Sequence, residues 1–214
     1  MRTFPYEHAS RRRAQYYPGD PEGMIAVDSL EVGPGRGDFI CAEAKDHPER
    51  RYAAIEIKKR RYLKLIRKVE AKNLSNVLLV QGDARIVIPE RLAEGTLSEA
   101  YVLFPDPWPK RRHTGMRLLS AEFLEMLARR MRPGGMIVIA TDDQEFARWI
   151  RRNVAGVPSL SIDSENTSAD ETPVHTPTRY ELKWKAEGRI ITTIRCRRIA
   201  TVHGQEPLLR GEKT

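Results

Sequence analysis

Glu31-Val32-Gly33-Pro34-Gly35-Arg36-Gly37 joins an apolar segment, Met24–Val32, to a helical one, Asp38–Asp46, whose opening acid suits an N-terminal dipole. Glycines at such a strand-to-helix switch let the backbone approach a ligand closely, because no Cβ stands in the way. The alternation begun here continues downstream. Tyr52–Ile57, Asn76–Gln81, Glu99–Phe104 and Met136–Ala140 read as strands. Lys58–Lys72, Ala84–Glu94, Ser120–Met131 and Gln144–Asn153 read as helices, Ser120–Met131 being stopped by Pro133-Gly134-Gly135. In Lys58–Lys72, Tyr62, Leu65, Ile66 and Val69 fall on one face. This β-α order predicts an α/β fold, a mainly parallel, doubly wound sheet with helices on both faces.

Outside that frame, residues 1–22 are polar, basic and turn-rich and read as an N-terminal arm. Residues 158–177 carry no apolar period and read as a long mobile loop, a candidate lid. Thr178–Lys185 and Arg189–Arg198 flank Ala186-Glu187-Gly188 and predict a C-terminal antiparallel hairpin. The expected organisation is thus an arm (1–22), one catalytic domain (23–199) and a tail (200–214) expected to be disordered.

Lys plus Arg number 37 against 29 Asp plus Glu, a net charge of +8 that favours an anionic partner, nucleic acid first. Arginine clusters reinforce this: Arg11-Arg12-Arg13, Lys58-Lys59-Arg60-Arg61, Lys110-Arg111-Arg112, Arg129-Arg130 and Arg151-Arg152. Cys41 and Cys196 lie far apart and suggest neither disulfide framework nor metal spacing, and the five histidines are scattered. No apolar run is long enough to span a bilayer, and Met1-Arg2-Thr3-Phe4-Pro5 lacks the apolar stretch of a secretory signal. A cytoplasmic protein without metal or membrane partner is expected.

The glycine spacing discriminates between cofactors. A dinucleotide fingerprint places its third glycine three residues after the second, where Asp38 stands here. Glu31, just before the turn, is unwelcome to a pyrophosphate and suits a cationic ligand. S-adenosylmethionine carries an ammonium and a sulfonium and no phosphate. Glu56 ends the next strand, where a carboxylate can accept from both hydroxyls of a ribose. Asp83, in Gly82-Asp83-Ala84, follows the third strand on the same rim, within reach of an adenine amino group. Glu31, Gly33, Gly35, Gly37, Glu56 and Asp83 are therefore the expected cofactor residues.

Phe104-Pro105-Asp106-Pro107-Trp108-Pro109-Lys110-Arg111-Arg112-His113 then empties the apolar Ala100-Tyr101-Val102-Leu103 into a stiff loop. It presents one carboxylate, one large aromatic and a block of cations. Together with Glu31-x-Gly33-x-Gly35-x-Gly37, Ile55-Glu56, Gly82-Asp83-Ala84, Thr141-Asp142 and Thr178-Arg179-Tyr180-Glu181, it resembles the bacterial tRNA (guanine-N7-)-methyltransferases over roughly residues 24–198. The glycine motif is shared by many methyltransferases; the proline-rich segment is far more specific. The sequence departs from that family's pattern at Gly115 and Trp184.

The resemblance implies a Rossmann-like class I methyltransferase fold and transfer of a methyl group from S-adenosylmethionine to guanine N7 of tRNA, at guanosine 46 of the variable region. It implies that Glu31, Glu56, Asp83 and Asp106 line the cofactor pocket. Lys110, Asp142, Thr178, Arg179, Tyr180 and Glu181 would contact the substrate guanosine. N7 carries a lone pair and no proton, so alignment and compensation of the charge growing on the purine are what help. Asp106 is the expected catalytic residue. Trp108 either packs the loop or stacks on a base, with packing the preferred reading. Two other readings remain at this stage. One is an exocyclic-amine nucleic-acid methyltransferase, whose D-P-P-aromatic loop Pro105-Asp106-Pro107-Trp108 partly resembles, one residue short. The other is a non-catalytic tRNA-binding protein, for which the acidic rim has no use.

Overall fold

The computed structural model describes residues 14–108, 110–168 and 177–200. Among these, strands β1 (Gln15–Tyr17), β2 (Ser29–Val32), β3 (Tyr52–Glu56), β4 (Val77–Gln81), β5 (Leu97–Leu103), β6 (Met131–Thr141), β7 (Leu160–Ser168) and β8 (Ile191–Arg198) form one sheet. Their order is β1-β4-β3-β2-β5-β6-β8-β7. The helices are α1 (Asp38–Asp46), α2 (Lys59–Ala71), α3 (Ala84–Arg91), α4 (Ala121–Arg130), α5 (Gln144–Ala155) and α6 (Arg179–Ala186), with a 3₁₀ turn at Arg111–Met116.

Strands β2 to β6 pair in parallel, and β1, β7 and β8 add antiparallel edges. The chain steps outward from β2 through β3 to β4, then crosses back to β5 on the other side of β2. That reversal opens a crevice at the carboxyl ends of β2, β3 and β5, where ligands bind in sheets of this kind.

Alternation along each strand sends side chains to the two faces of the sheet, where three apolar clusters form among the described residues. From β3, Ala53 and Ile55 pack with Val87 and Ile88 of α3, Phe123 and Leu127 of α4, and Phe146 and Ile150 of α5. Tyr52 and Ala54 turn the other way, against Ile40 and Cys41 of α1 and Tyr62, Leu65 and Val69 of α2. Burial on both faces is why the central strands read as near-continuous apolar runs.

Several boundaries differ from the sequence reading. The first strand begins at Ser29 rather than Met24; Ile25 instead bridges Leu92. Met131 already pairs with Leu97, so β6 absorbs Pro133-Gly134-Gly135, and the register shifts between Leu97 and Glu99. The proline is tolerated because this stretch bulges into solvent, where its missing N–H costs no ladder bond. Gln15–Tyr17, read as part of the arm, lies along β4 as an edge strand.

The largest correction is C-terminal. Thr178–Lys185, expected as a strand, is the helix α6 with its cap, and the Thr178 hydroxyl accepts from the Glu181 N–H at 3.1 Å. β8 pairs antiparallel with β6 on one side and on the other with β7, which lies inside the stretch read as a mobile loop. The C-terminal strand pair therefore exists with a different first member, and α6 lies between its two strands in the chain. Residues 1–13, with Arg11-Arg12-Arg13, residues 169–176 of the expected lid, and the tail from 201 lie outside the described residues.

Candidate active site

A cleft opens at the switch point, lined by Gly33 after β2, Glu56 to Lys58 and Arg61 after β3, Gly82 to Arg85 after β4, and Leu103 to Asp106 and Trp108 after β5. Met116 and Leu118 close its far side. Four of the expected residues, Gly33, Glu56, Asp83 and Asp106, thus come together from four separate strand ends.

The glycine turn divides its labour. Gly33 has φ +75, and a Cβ built there would meet nothing within 4 Å, so its α-carbon faces open space. Gly37 has φ +67, and a Cβ there would lie 2.0 Å from Leu65 Cδ1. Gly37 is thus the left-handed cap of α1 and lets α2 pack close, away from the cleft. Gly35 contributes its amide, which donates to Glu56 Oε2 at 3.2 Å.

Glu56 is 2% exposed, and burial raises its pKa against the N–H groups of Lys58 and Gly35 and the charges of Arg61 and Lys58. The Lys58 amide donates to Oε1 at 2.7 Å. Each carboxylate oxygen has two acceptor sites, so one on each remains for a pair of neighbouring hydroxyls. Asp83 caps α3, accepting from the Arg85 N–H at 3.0 Å, and Arg85 Nε and Nη2 grip its two oxygens at 3.0 and 2.6 Å. One acceptor site on Oδ2 is left facing the cleft.

Glu31 is 3% exposed and lies behind this wall in β2. Its pKa is pushed up to about 8, first by burial, then by the neighbouring carboxylates of Asp38 and Glu56; the Ile40 N–H and Lys68 oppose this. Its Oε2 has no hydrogen-bond partner among the described residues. A buried carboxyl with one unsatisfied oxygen among acids is an acceptor for a cation.

Asp106 is exposed on the rim and makes no hydrogen bond or ion pair among the described residues. Its loop is nonetheless rigidly held. Arg117 Nε donates to the Pro107 carbonyl at 2.8 Å and Nη2 to that of Trp108 at 3.3 Å, while its guanidinium sits over the rings of Phe146 and Trp149. Phe104 and Trp108 both occupy the left-handed region, φ 53 and 43, a conformation that costs energy for bulky residues and clusters at functional loops. Trp108, expected as loop packing, is half-buried and forms part of the cleft wall.

The expected substrate residues gather on the adjoining side. Asp142, after β6, pairs with Arg189 Nη1 at 2.9 Å. Arg189 lies over Trp184 of α6, and Trp184 meets Phe104 edge-on with ring centroids 4.9 Å apart. Asp142 and α6, with Thr178 at its cap and Arg179 and Tyr180 in its first turn, are thereby tied to the cleft loop. Glu181 is 2% exposed, with Lys185 Nζ 3.7 Å from its Oε1. Lys110 is exposed just before the 3₁₀ turn.

Sequence reading missed Arg117, Trp184, Arg189 and the wall residues Lys58, Arg61 and Arg85. No local signal marks Arg117. For α6 the signal was present: Thr178-x-x-Glu181 is the spacing of a helix capping box.

Residues 26–194 match a family model described as "Putative methyltransferase". The tRNA (guanine-N(7)-)-methyltransferase of Thermotoga maritima is 33% identical over 196 residues, covering 90% of this chain and 60% of that protein. That of Nitrosospira multiformis is 38% identical over 144 residues, 67% of this chain and 61% of that protein. The Chlorobium phaeobacteroides protein of the same name is 32% identical over 155 residues, 72% and 73% of the two. The match thus spans about 60% of the length of the first two relatives. Among solved structures, the 16S rRNA methyltransferase KamB superposes with TM-score 0.59 at 17% identity, covering 83% of this chain and 90% of that one. TrmN from Thermus thermophilus superposes with TM-score 0.60 at 15% identity, covering 82% and 45%. These two likenesses establish the Rossmann-like methyltransferase fold.

Proposed function

Since the chain belongs to the tRNA (guanine-N(7)-)-methyltransferase family, we propose that it transfers the methyl group of S-adenosylmethionine to N7 of a guanine in tRNA, at guanosine 46 of the variable region, in the cytoplasm. The observation that carries this reading is the convergence of Gly33, Glu56, Asp83 and Asp106 on one cleft, with Asp142 and α6 beside it. No helix among the described residues is long and apolar enough to cross a membrane, and none of their His, Cys, Asp and Glu side chains cluster in a metal-holding group.

The cleft's donors and acceptors suit this cofactor. Glu31 offers a buried, unsatisfied carboxyl oxygen to the ammonium, Glu56 two acceptor sites to the ribose, and Asp83 one to the adenine amino group. Gly33 leaves the space that a side chain elsewhere would fill. Bound there, S-adenosylmethionine supplies an electrophilic sulfonium methyl.

The chain's own contribution is placement. Guanine N7 has a lone pair and no proton, so no general base is required. Asp106, unpaired at the rim, accepts from the guanine N1–H and N2–H edge and offsets the charge that grows on the purine. The Arg117 clamp holds the Asp106 loop in one conformation, so the orientation is fixed before substrate arrives. Exposed Lys110 and Arg112 meet phosphates without reading sequence.

N7 lies in the deep major groove of A-form RNA, beyond the reach of side chains, so the guanine must leave its stack. The side of the cleft at Phe104, against which Trp184 of α6 packs, is where it is held. The test is to incubate the protein with unmodified tRNA and labelled S-adenosylmethionine and to map the modified nucleoside. 7-Methylguanosine at position 46 is expected. N6-methyladenosine, or tRNA binding with no transfer, would overturn the reading.

A further inference from the structure

The net charge of +8 is unevenly distributed. Several arginines elsewhere are neutralised in ion pairs, Arg91 with Asp20, Arg129 with Glu125, Arg151 with Glu165 and Arg197 with Asp163, while Arg36, Arg51, Arg132 and Arg152 stand exposed as scattered charges. The α2 helix is different. Lys59, Arg60, Arg61, Lys64 and Arg67 are all exposed, and among the described residues their side chains make no hydrogen bond or ion pair. Lys68 is engaged by Asp38 and the Arg36 carbonyl. The helix's single acid, Glu70, already accepts from the Tyr17 hydroxyl.

Local physics opposes this arrangement. The first turn of α2 contains no acid and three cations, at the end where the helix dipole favours anions. Arg60 and Lys64 repel one another at i, i+4. The buried row Tyr62, Leu65 and Val69 holds the helix in place, with Lys68 and Glu70 tying down its last turns. A charge pattern that the fold itself does not use, and that works against its helix, is explained by a polyanion outside it.

The geometry is that of a track. Arg60, Lys64 and Arg67 stand at i, i+4 and i+7 on the face opposite the buried row, spanning about 10 Å of helix. The track begins at the cleft, because Lys58 and Arg61 belong to its wall. It follows β3, on the opposite side of β2 from the Asp106 and Asp142 loops. A single-sign row with only Leu63 exposed among its apolar residues suits a regular phosphate backbone better than a protein surface.

We propose that the exposed face of α2 carries the phosphate backbone of the RNA substrate, so that the RNA spans the cleft from α2 to the Asp106 loop. The proposal rests on the tRNA reading above. Its test compares two variants that each lose three positive charges: Arg60→Ala/Lys64→Ala/Arg67→Ala, and Lys45→Ala/Arg132→Ala/Arg152→Ala, the second set being exposed and outside the cleft wall. Methyl transfer to unmodified tRNA is measured from 50 to 200 mM salt. The α2 variant should raise KM for tRNA at least tenfold with kcat within twofold, and flatten the slope of log KM against log salt by about 2 to 3. The second variant should leave both within twofold of wild type. Equal effects in the two variants, or an unchanged salt slope in the first, would overturn the proposal while leaving methyl transfer standing. So would loss of an acidic protein partner from the α2 variant with tRNA KM unchanged. A wild-type protein that methylates no tRNA at any salt would refute the functional reading, and the α2 track with it.

Discussion

Replacing Glu31 by glutamine separates the cost of a buried acid from its use. The pKa of Glu31 rises from 4.5 to about 8 on folding, chiefly through burial. An acid whose folded pKa is raised destabilises the fold as pH rises: the cost is absent below 4.5, grows between 4.5 and 8, and is constant above. Integrating the proton difference between the two states gives a loss of about 2–3 kcal/mol between pH 5 and pH 7 from this group. Glutamine keeps an oxygen for the Ile40 N–H and is neutral throughout, so its stability lacks that slope. Urea unfolding of both proteins without cofactor, at pH 5, 6 and 7, should show the variant gaining on wild type by about 2–3 kcal/mol across the range. The difference between the two proteins is the readout, because groups remote from Glu31 cancel, while its coupled neighbours Asp38 and Glu56 belong to the same effect. Calorimetry supplies the functional half. A cation arriving at Glu31 lowers its pKa, so S-adenosylmethionine should expel about 0.9 proton at pH 7, seen as a dependence of the binding heat on buffer ionisation enthalpy. Glu31→Gln should bind more weakly and expel none. A stability gap that does not change with pH would refute the buried acid; proton release retained in the variant would refute its pairing with the cofactor.

Glu56→Ala should weaken S-adenosylmethionine binding by about 1.5–3 kcal/mol, from losing charged hydrogen bonds; an unaltered calorimetric affinity removes Glu56 from the ribose site. Asp106→Ala should abolish transfer while tRNA affinity and Tm stay at wild-type values, because no described residue depends on its carboxylate. Lost tRNA binding with normal single-turnover chemistry would contradict its role. Gly37→Ala should lower stability by about 2 kcal/mol or more, combining a strained φ with a Cβ against Leu65. A denaturant midpoint equal to that of wild type would show that α1 and α2 can part without cost.

The sheet and the cofactor side of the cleft were legible because there the physics is local. A strand buried on both faces must be apolar along its length, so Tyr52–Glu56 and Val77–Gln81 announce themselves within one residue of their observed ends. A strand ending in an acid at the carboxyl edge likewise places Glu56 and Asp83 with no knowledge of their neighbours. The glycine turn was only partly legible. Three glycines in a row of alternate positions look alike, yet Gly33 faces the cleft and Gly37 faces Leu65, twenty-eight positions on in the chain, about as far as one helix and one strand can carry it.

The C-terminal third defeated the pattern for a different reason. β7 is an edge strand paired on one side only, so it needs no apolar alternation; Ile162 is 41% exposed. What fixes it is polar and non-local: Asp163 with Arg197, the Thr167 and Thr192 hydroxyls 3.2 Å apart, and Glu165 with Arg151 of α5. Such pairs stabilise a strand through residues 14 to 34 positions away, and composition alone reads them as loop. The same pairs give this edge a purpose in the charge distribution. By drawing the acids of β7 onto Arg151 and Arg197, the fold offsets these two cations on the β7–β8 side and leaves the α2 row unpaired. An edge that read as a long mobile loop thus takes two arginines out of the basic surface that α2 keeps.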